Sequence, residues 1–355
     1  MVWQAILQII LLALGFVLLV KGADFFVDGA SGIAKKLKVS TFIIGATVVA
    51  FGTSAPELAV TVTDAAGGTG ELIVGNILGS NIINIFLILG LSAIVCKLPV
   101  EKTTRYIDLP FLILISGLFV LLGYLGWSFT WWEGLILLML YVSFMVYNVI
   151  LAQKQSQAQL EQATAAAATF DGDNTVNTEG VGFIEKIKLS YENLQSKVWF
   201  LIVITVVGLG MVVGGAQLVV NSAQFIAKDL IGIPAEIVAL TVVAFGTSLP
   251  ELVTSVSAAK KGDVGIATGN VIGSNIANIL LIGGVGAICT GSASLPFSTE
   301  GLISGLVALF AAILILACSL NKDKCLGKIA GAIMLVCLAV YYVFIFLNFY
   351  ILHIY

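Results

Sequence analysis

The chain has 355 residues, of which 59% are hydrophobic and only 10% are charged, and its formal net charge is −3. Soluble domains contain about 45–50% apolar and about 25% charged residues, so this composition predicts a membrane protein. The basic residues form no patch with interleaved aromatics, which excludes a nucleic-acid partner. The single histidine, His353, disfavours histidine-based metal or triad chemistry, so we expect no enzyme.

Apolar stretches long enough to cross a bilayer, which takes about 20 residues, recur along the chain. We predict an all-α protein with ten membrane-spanning helices, at 4–26, 40–65, 71–95, 107–126, 131–152, 198–225, 235–259, 264–290, 299–319 and 326–350. Lysine and arginine are concentrated in alternate loops. Cytoplasmic loops carry this excess, so both termini should face outward, in a membrane that we take to be a prokaryotic plasma membrane.

The chain divides into a first part at 1–152, a polar segment at 153–197 and a second part at 198–355. The polar segment is rich in glutamine, alanine, asparagine and threonine. We interpret it as a cytoplasmic linker with a frayed helix at its start.

Two motifs occur twice, 194 residues apart. TVVAFGTSAPEL at 47–58 matches TVVAFGTSLPEL at 241–252, and GNILGSNIINI at 75–85 matches GNVIGSNIANI at 269–279. Each duplicated unit then contains five spans. Because five is odd, equivalent helices would cross the membrane in opposite directions. This pattern predicts two inverted five-helix repeats with a binding site between them near the midplane.

The first motif combines a helix breaker with a carboxylate. Pro56 cannot donate a hydrogen bond to the carbonyl of Gly52, which predicts an opened helix with free carbonyl oxygens. Glu57 follows that break. The residues that share its helical face are Ala50, Thr53 and Ser54, and the second copy repeats them as Ala244, Thr247, Ser248 and Glu251.

The second motif places polar side chains four residues apart on one helical stripe. The members are Asn76, Ser80 and Asn84 in the first copy and Asn270, Ser274 and Asn278 in the second. The glycine pairs Gly75 with Gly79 and Gly269 with Gly273 predict close approach of a neighbouring helix. Such hydroxyls and amides also serve as structural hydrogen-bonding groups between helices or to a carbonyl one turn back, and that alternative stays open.

The two glutamates point more strongly to function. A charged group at membrane depth costs a few kcal/mol or more and usually marks an ion or proton path. The flanking segments offer no lysine or arginine to neutralise Glu57 or Glu251, and two such carboxylates repel each other unless a cation lies between them. Oxygen ligands suit hard cations better than zinc or copper. The residues alone leave sodium, calcium and manganese open.

The paired GTSAPE and GTSLPE segments, with the two GSN segments, resemble the alpha repeats of the sodium/calcium exchanger family within the calcium/cation antiporter superfamily. The resemblance covers essentially the whole chain apart from the central loop, with the alpha motifs at 45–90 and 239–284. It implies exchange of calcium against sodium by alternating access, with the first and sixth spans sliding across the other eight. It also implies a protein that functions as a monomer in the lipid bilayer, without a cofactor.

The resemblance further implies the roles of individual residues. Calcium would bind the carboxylates of Glu57 and Glu251 and the backbone carbonyls of Thr53 and Thr247. The sodium sites would use Ala50, Ser54, Ser80, Ala244, Ser248 and Ser274, and Asn84 and Asn278 would line the centre.

The coupled ion is less closely defined. Several relatives carry an aspartate in place of one member of the pair Asn84 and Asn278, which in one branch accompanies potassium coupling. Two amides therefore disfavour potassium here, and the GSN segments disfavour the proton-coupled branch. The alternatives that remain are a proton- or potassium-coupled calcium/cation antiporter and a passive cation channel.

Lys21, Asp24 and Asp28 lie on one face of the first predicted span. We interpret them as a self-neutralising cluster whose lysine reaches the inner membrane surface. The alternative is a role for Asp24 and Asp28 in cation access or gating. Their counterparts in the sixth span, Gln217 and Asn221, are uncharged, so any such role would belong to one half.

Overall fold

The computed structural model describes residues 2–66, 70–167, 197–226, 230, 244–291 and 294–352. Eight helices among these residues are long and apolar enough to cross a membrane, and a bent pair, Thr41–Thr53 with Ala55–Ala66, makes a ninth. The predicted span at 235–259 lies partly outside the described residues, which resume at Ala244.

In the first half the helices are α1 (Val2–Leu37), α2 (Thr41–Ile44), α3 (Ala50–Thr53), α4 (Ala55–Ala66), α5 (Glu71–Ile83), α6 (Gly90–Val95), α7 (Leu109–Gly126) and α8 (Trp131–Ala167). Stretches of π-helix at Gly45–Val49 and Asn84–Leu89 join α2 to α3 and α5 to α6. A third, Thr104–Asp108, leads into α7.

In the second half the helices are α9 (Val198–Phe225), α10 (Ala244–Thr247), α11 (Leu249–Lys261), α12 (Val264–Ala277), α13 (Gly283–Cys289), α14 (Thr299–Ser319) and α15 (Lys328–Leu352). A π-helical stretch at Asn278–Ile282 joins α12 to α13. The predicted spans at 198–225 and 299–319 coincide with α9 and α14.

Two helices extend well beyond their predicted ends. α1 continues past residue 26 to Leu37, because Val27, Ala30 and Ala34 are buried against the core. α8 continues through the first part of the predicted linker to Ala167, where alanine and glutamine favour helix. The rest of that linker, 168–196, lies outside the described residues.

Among the described residues, four short strands form two antiparallel ribbons that connect the halves. β1 (Leu98–Pro99) pairs with β4 (Cys325–Leu326), and β2 (Ser128–Phe129) pairs with β3 (Leu295–Pro296). Each ribbon therefore takes one strand from each half of the chain.

The helices at the centre of the fold are those that carry the polar stripes. The segments Leu72–Val95 and Val264–Cys289 are mostly buried, whereas less than half of each of the other six long candidate spans is buried. A Cβ atom on Gly273 would lie 2.5 Å from the carbonyl oxygen of Ala46, and one on Gly269 would overlap the carbonyl oxygen of Phe42. The predicted close approach is thus confirmed for this glycine pair.

The equivalent prediction for Gly75 and Gly79 remains a prediction. Residues 236 and 240, which correspond to Phe42 and Ala46 at the offset of the repeat, lie outside the described residues.

α1 and α9 run antiparallel with their backbones in contact. A Cβ atom on Gly22 would lie 2.9 Å from the carbonyl oxygen of Gly208, and one on Gly15 would lie 3.0 Å from that of Gly215. On each helix the two glycines are about two turns apart, so they form one continuous seam. This glycine seam was not predicted from the sequence.

Candidate functional site

Both proline motifs interrupt their helices at the serine two residues before the proline. α3 ends at Thr53, Ser54 has φ −82° and ψ 7°, and α4 then leaves at an angle of 43°. In the second half Ser248, with φ −87° and ψ 4°, separates α10 from α11 in the same way. The predicted breaks are therefore present at equivalent places.

The two glutamates that follow these breaks are buried, each with 1% of its surface exposed. Groups from the opposite half surround each carboxylate. The hydroxyl of Ser54 donates to Oε1 of Glu251 at 3.2 Å, Thr53 also lies beside Glu251, and Thr247 lies beside Glu57. The carboxylates are close enough to repel each other electrostatically.

Several buried oxygen atoms of this cluster have no hydrogen-bond partner within the described part of the chain. They are Oε2 of Glu57, Oε2 of Glu251, Oδ1 of Asn84, Oδ1 of Asn278, Oγ1 of Thr247 and Oγ of Ser274. Buried oxygen atoms are normally hydrogen-bonded, so exceptions that recur among the predicted ligands of both halves point to a ligand. Carboxylate, amide and hydroxyl oxygens are the atoms that hard cations prefer.

Asn76 and Asn270 support the glutamate backbones. Their side-chain amides donate to the carbonyl oxygens of Glu57 and Glu251, at 3.4 Å in both halves. Asn270 also accepts a hydrogen bond from the hydroxyl of Thr53 at 3.0 Å. These two asparagines of the predicted stripes therefore act as supports, which agrees with the structural alternative for them.

The serines of the two halves are not arranged identically. Ser54 bonds Glu251, whereas its counterpart Ser248 donates to the hydroxyl oxygen of Ser80 at 3.5 Å. Ser274 is fully buried. The carbonyl oxygen of Ala50 accepts from Ser54 N at 3.0 Å and from the hydroxyl of Thr53 at 3.4 Å.

Two further asparagines, Asn81 and Asn275, complete the centre. The side chain of Asn81 accepts a hydrogen bond from Nδ2 of Asn278 at 3.0 Å, and the side chain of Asn275 accepts one from Nδ2 of Asn84 at 3.0 Å. All four are buried. Sequence reasoning missed Asn81 and Asn275, although they follow Ser80 and Ser274 directly in the repeated GSN segments, because it followed only the four-residue spacing.

Two acidic side chains from the described residues, those of Glu57 and Glu251, belong to this cluster. Among the described residues no group of three or more histidine, cysteine, aspartate or glutamate side chains is placed to hold a metal ion. The other oxygens that the described residues contribute belong to neutral groups, so within that part of the chain the two glutamates supply the negative charge.

Asp24 and Asp28 lie apart from this cluster and are paired with α11. Lys261 Nζ is 2.7 Å from Oδ1 of Asp28 and 3.5 Å from Oδ1 of Asp24, and Ser257 donates to Asp24 at 2.8 Å. Within the described residues Lys21 forms no ion pair with either aspartate. The interpretation of a cluster neutralised by Lys21 is therefore wrong, because the end of α11 brings Lys261 against α1.

Comparison with known proteins gives consistent matches. The family described as "Sodium/calcium exchanger protein" matches residues 7–150 and 200–350. The chain is 33% identical over 318 residues to the sodium/calcium exchanger MaX1 of Methanosarcina acetivorans, which covers 83% of this chain and 88% of that protein. It is 35% identical over 286 residues to the inner membrane protein YrbG of Escherichia coli, covering 79% of each.

The fold also matches solved structures. The sodium-calcium exchanger NCX_Mj, soaked with Na⁺ and Sr²⁺, superposes with a TM-score of 0.76 at 31% identity, covering 96% of this chain and 99% of that chain. Sodium/calcium exchangers are transporters and not catalytic enzymes. The long apolar helices of this chain agree with a position in a membrane. The family match extends over both halves of the sequence, and the chain belongs to the sodium/calcium exchanger protein family.

Proposed function

We propose that the chain is a secondary active antiporter that exchanges calcium against sodium across a membrane. The observation that carries this proposal is the pair Glu57 and Glu251, which are buried, electrostatically coupled and each left with an unpartnered oxygen atom within the described chain. Buried like charges repel each other, so a cation bound by both lowers the free energy of the site. Relatives named as sodium/calcium exchangers support the choice of the two ions.

In this proposal calcium binds the two carboxylates together with the backbone carbonyls of Thr53 and Thr247, which lie at the helix breaks. Sodium ions share the glutamates and use the oxygens of Ala50, Ser54, Ser80, Ala244, Ser248 and Ser274, with Asn84 and Asn278 at the centre. Both ions are transported substrates, and no cofactor takes part. All these ligands belong to one chain, so a monomer is sufficient for transport.

We further infer ten helices in two inverted repeats, at 1–152 and 198–355, joined by the segment at 153–197. The hydrogen bonds from Asn76 to Glu57 and from Asn270 to Glu251 support this, since they have the same length and lie one repeat apart. The ribbons support it as well. A rotation that exchanges the halves replaces β1 by β3 and β4 by β2, so it converts one ribbon into the other.

The glycine seam between α1 and α9 supports the assignment of these two helices as the part of the protein that moves during transport. Because α1 and α9 contact each other backbone to backbone, they would shift as one body across the remaining helices during alternating access. The lysine-rich loops support an orientation with both termini outside and the end of α11 at the cytoplasmic face, in a prokaryotic plasma membrane.

Asp24 and Asp28 take a gating role in this scheme. They are on α1, and their partner Lys261 is on α11, the helix that carries Glu251. A shift of α1 would break this ion pair. Gln217 bonds Asn221 within α9 itself, at 2.7 Å, so the second half has no equivalent ion pair at these positions.

The test is uptake of radioactive calcium into proteoliposomes that contain the purified chain, with sodium, potassium or protons as the ion on the opposite side. We expect uptake only against a sodium gradient, and its loss in Glu57→Gln and Glu251→Gln. Glu300→Gln, at an exposed glutamate, is the matched control and should transport normally.

Three results would contradict the proposal. Uptake that survives in both glutamine variants would remove the glutamates from the mechanism. Uptake driven by potassium or protons would indicate a different coupling ion. Fast calcium flux without any counter-ion would indicate a passive channel.

A further inference from the structure

Asn81 and Asn275 form a reciprocal contact between the central helices of the two halves. Asn81 Nδ2 donates to the backbone carbonyl of Asn275 at 3.3 Å, and Asn275 Nδ2 donates to the backbone carbonyl of Asn81 at 3.2 Å. Both side chains are at most 2% exposed. The hydrogen bond from Nδ2 to a carbonyl fixes the rotation of each side-chain amide and leaves its Oδ1 atom to accept from a third group.

The third group is the side-chain amide of Asn278 in the case of Asn81, and that of Asn84 in the case of Asn275. The proposed function assigns both amides to the ion site. Oδ1 of Asn81 accepts from Nδ2 of Asn278, and Oδ1 of Asn275 accepts from Nδ2 of Asn84, both at 3.0 Å. The opposite ends of these two amides, Oδ1 of Asn278 and Oδ1 of Asn84, are buried and have no hydrogen-bond partner within the described residues.

We propose that Asn81 and Asn275 are positioning residues that fix the rotation of the amides of Asn278 and Asn84, so that each turns its oxygen toward the transported cation. The inference rests on the proposed function, because it presumes a cation at this site. It adds a specific role for two residues that do not themselves contact the ion.

The physical reason is that the two ends of a carboxamide have nearly the same shape and opposite polarity. Its oxygen accepts hydrogen bonds and binds cations, whereas its NH₂ group carries two positive hydrogens. A half-turn of the amide would place those hydrogens against the cation. Groups behind a ligand that hold it in the productive orientation are a general feature of metal sites.

The arrangement crosses between the halves. Asn81 of the first half orients Asn278 of the second, and Asn275 of the second half orients Asn84 of the first. Both amides are therefore correctly turned only when α5 and α12 are in register. A different reading is that Asn81 and Asn275 merely hold those two helices together, and the two readings predict different results.

Replacing Asn278 by aspartate distinguishes the two interpretations. Both oxygens of a carboxylate accept hydrogen bonds and bind cations, so a half-turn of the group changes nothing. We would measure equilibrium binding of radioactive calcium to purified wild type, Asn81→Ala, Asn278→Asp and the double variant. Asn81→Ala should weaken calcium binding about tenfold when residue 278 is asparagine, as expected for loss of one buried hydrogen bond. In the Asn278→Asp background the same change should no longer weaken calcium binding, because Oδ1 of Asn81 then faces a second acceptor and no hydrogen bond to residue 278 is lost.

The control is Asn148→Ala, which removes a buried asparagine amide outside the site and should leave calcium binding unchanged. Equal weakening by Asn81→Ala in both backgrounds, or none in either, would overturn the proposal. If Asn81→Ala does not fold, the mirror-related set with Asn275→Ala and Asn84→Asp makes the same test. Absence of calcium binding by the wild type would instead contradict the proposed function.

Discussion

The hydroxyl of Ser54 donates a hydrogen bond to Oε1 of Glu251 at 3.2 Å, although 197 residues separate them. This bond joins the helix break of the first half to the carboxylate of the second. A change in the position of either helix break therefore changes the hydrogen bonding of the Glu251 carboxylate.

We expect Ser54→Ala to raise the sodium concentration that half-saturates exchange by roughly tenfold or more, because a hydrogen bond to a charged group contributes about 1.5–3 kcal/mol. The measurement is sodium-dependent calcium efflux from proteoliposomes. Thr63→Ala is the matched control on α4, since the hydroxyl of Thr63 is exposed and bonds only the carbonyl of Ala59. Similar behaviour of the two variants would show that the bond to Glu251 has no role in sodium binding.

Replacing a central glutamate should change stability in a way that depends on calcium. In calcium- and sodium-free buffer Glu57→Gln should be more stable than the wild type, because it removes the repulsion between two buried carboxylates. Calcium at about 100 times its dissociation constant should raise the unfolding free energy of the wild type by about 2.7 kcal/mol and that of the variant hardly at all. Thermal unfolding in detergent measures both effects, and equal stabilisation of the two proteins by calcium would contradict this prediction.

The glycine seam should tolerate no side chain. A Cβ atom on Gly208 would lie 2.8 Å from the carbonyl oxygen of Gly22 and 2.9 Å from Cα of Phe26, so Gly208→Ala must push α1 and α9 apart. We expect a loss of about 1–3 kcal/mol of stability, as for other overpacked sites, together with slower exchange.

Gly210→Ala, two residues along the same helix, is the control for this change. Gly210 is exposed, and a Cβ atom there meets no described atom within 4 Å. If both variants unfold at the same temperature and exchange at the same rate, the close contact of α1 and α9 is not required.

Removing the positive charge of Lys261 should shift the balance between the two access states. The side chains of Lys261 and Asp28 are 27% and 37% exposed, so the pair contributes only about 0.2–1 kcal/mol. Lys261→Met should therefore change the apparent sodium affinity by up to about fivefold, in opposite directions at the two membrane faces, and the change should shrink at high ionic strength. Vesicles of opposite orientation allow this measurement.

The exposed pair Lys97 and Asp323, 3.7 Å apart, supplies the control for Lys261→Met. Lys97→Met removes the same charge from a pair that does not join α1 to α11, and it should leave both affinities unchanged. Affinity changes of the same sign at the two faces in Lys261→Met would rule out a gating role for this pair.

Local chemistry made part of this fold predictable. Proline removes a backbone donor wherever it occurs in a helix, so the breaks before Pro56 and Pro250 follow from the sequence. The burial of Glu57 and Glu251 follows from apolar flanks that are long enough to cross a membrane. The C-terminal bound of α1 did not follow, because burial of Val27, Ala30 and Ala34 against distant segments extends that helix.

The sequence by itself therefore determined the apolar spans, the two helix breaks and the repeated set of candidate oxygen ligands, since each depends on residues within one or two turns of helix. The tertiary structure alone decided that Asp28 pairs with Lys261, that Gly22 faces Gly208, and that Asn81 holds Asn278. These pairs are far apart along the chain, and side chains such as asparagine and glycine have many suitable partners. The packing of α1 against α9 and α11, and of α5 against α12 and the π-helical stretch that follows it, selects which of those partners come within bonding distance.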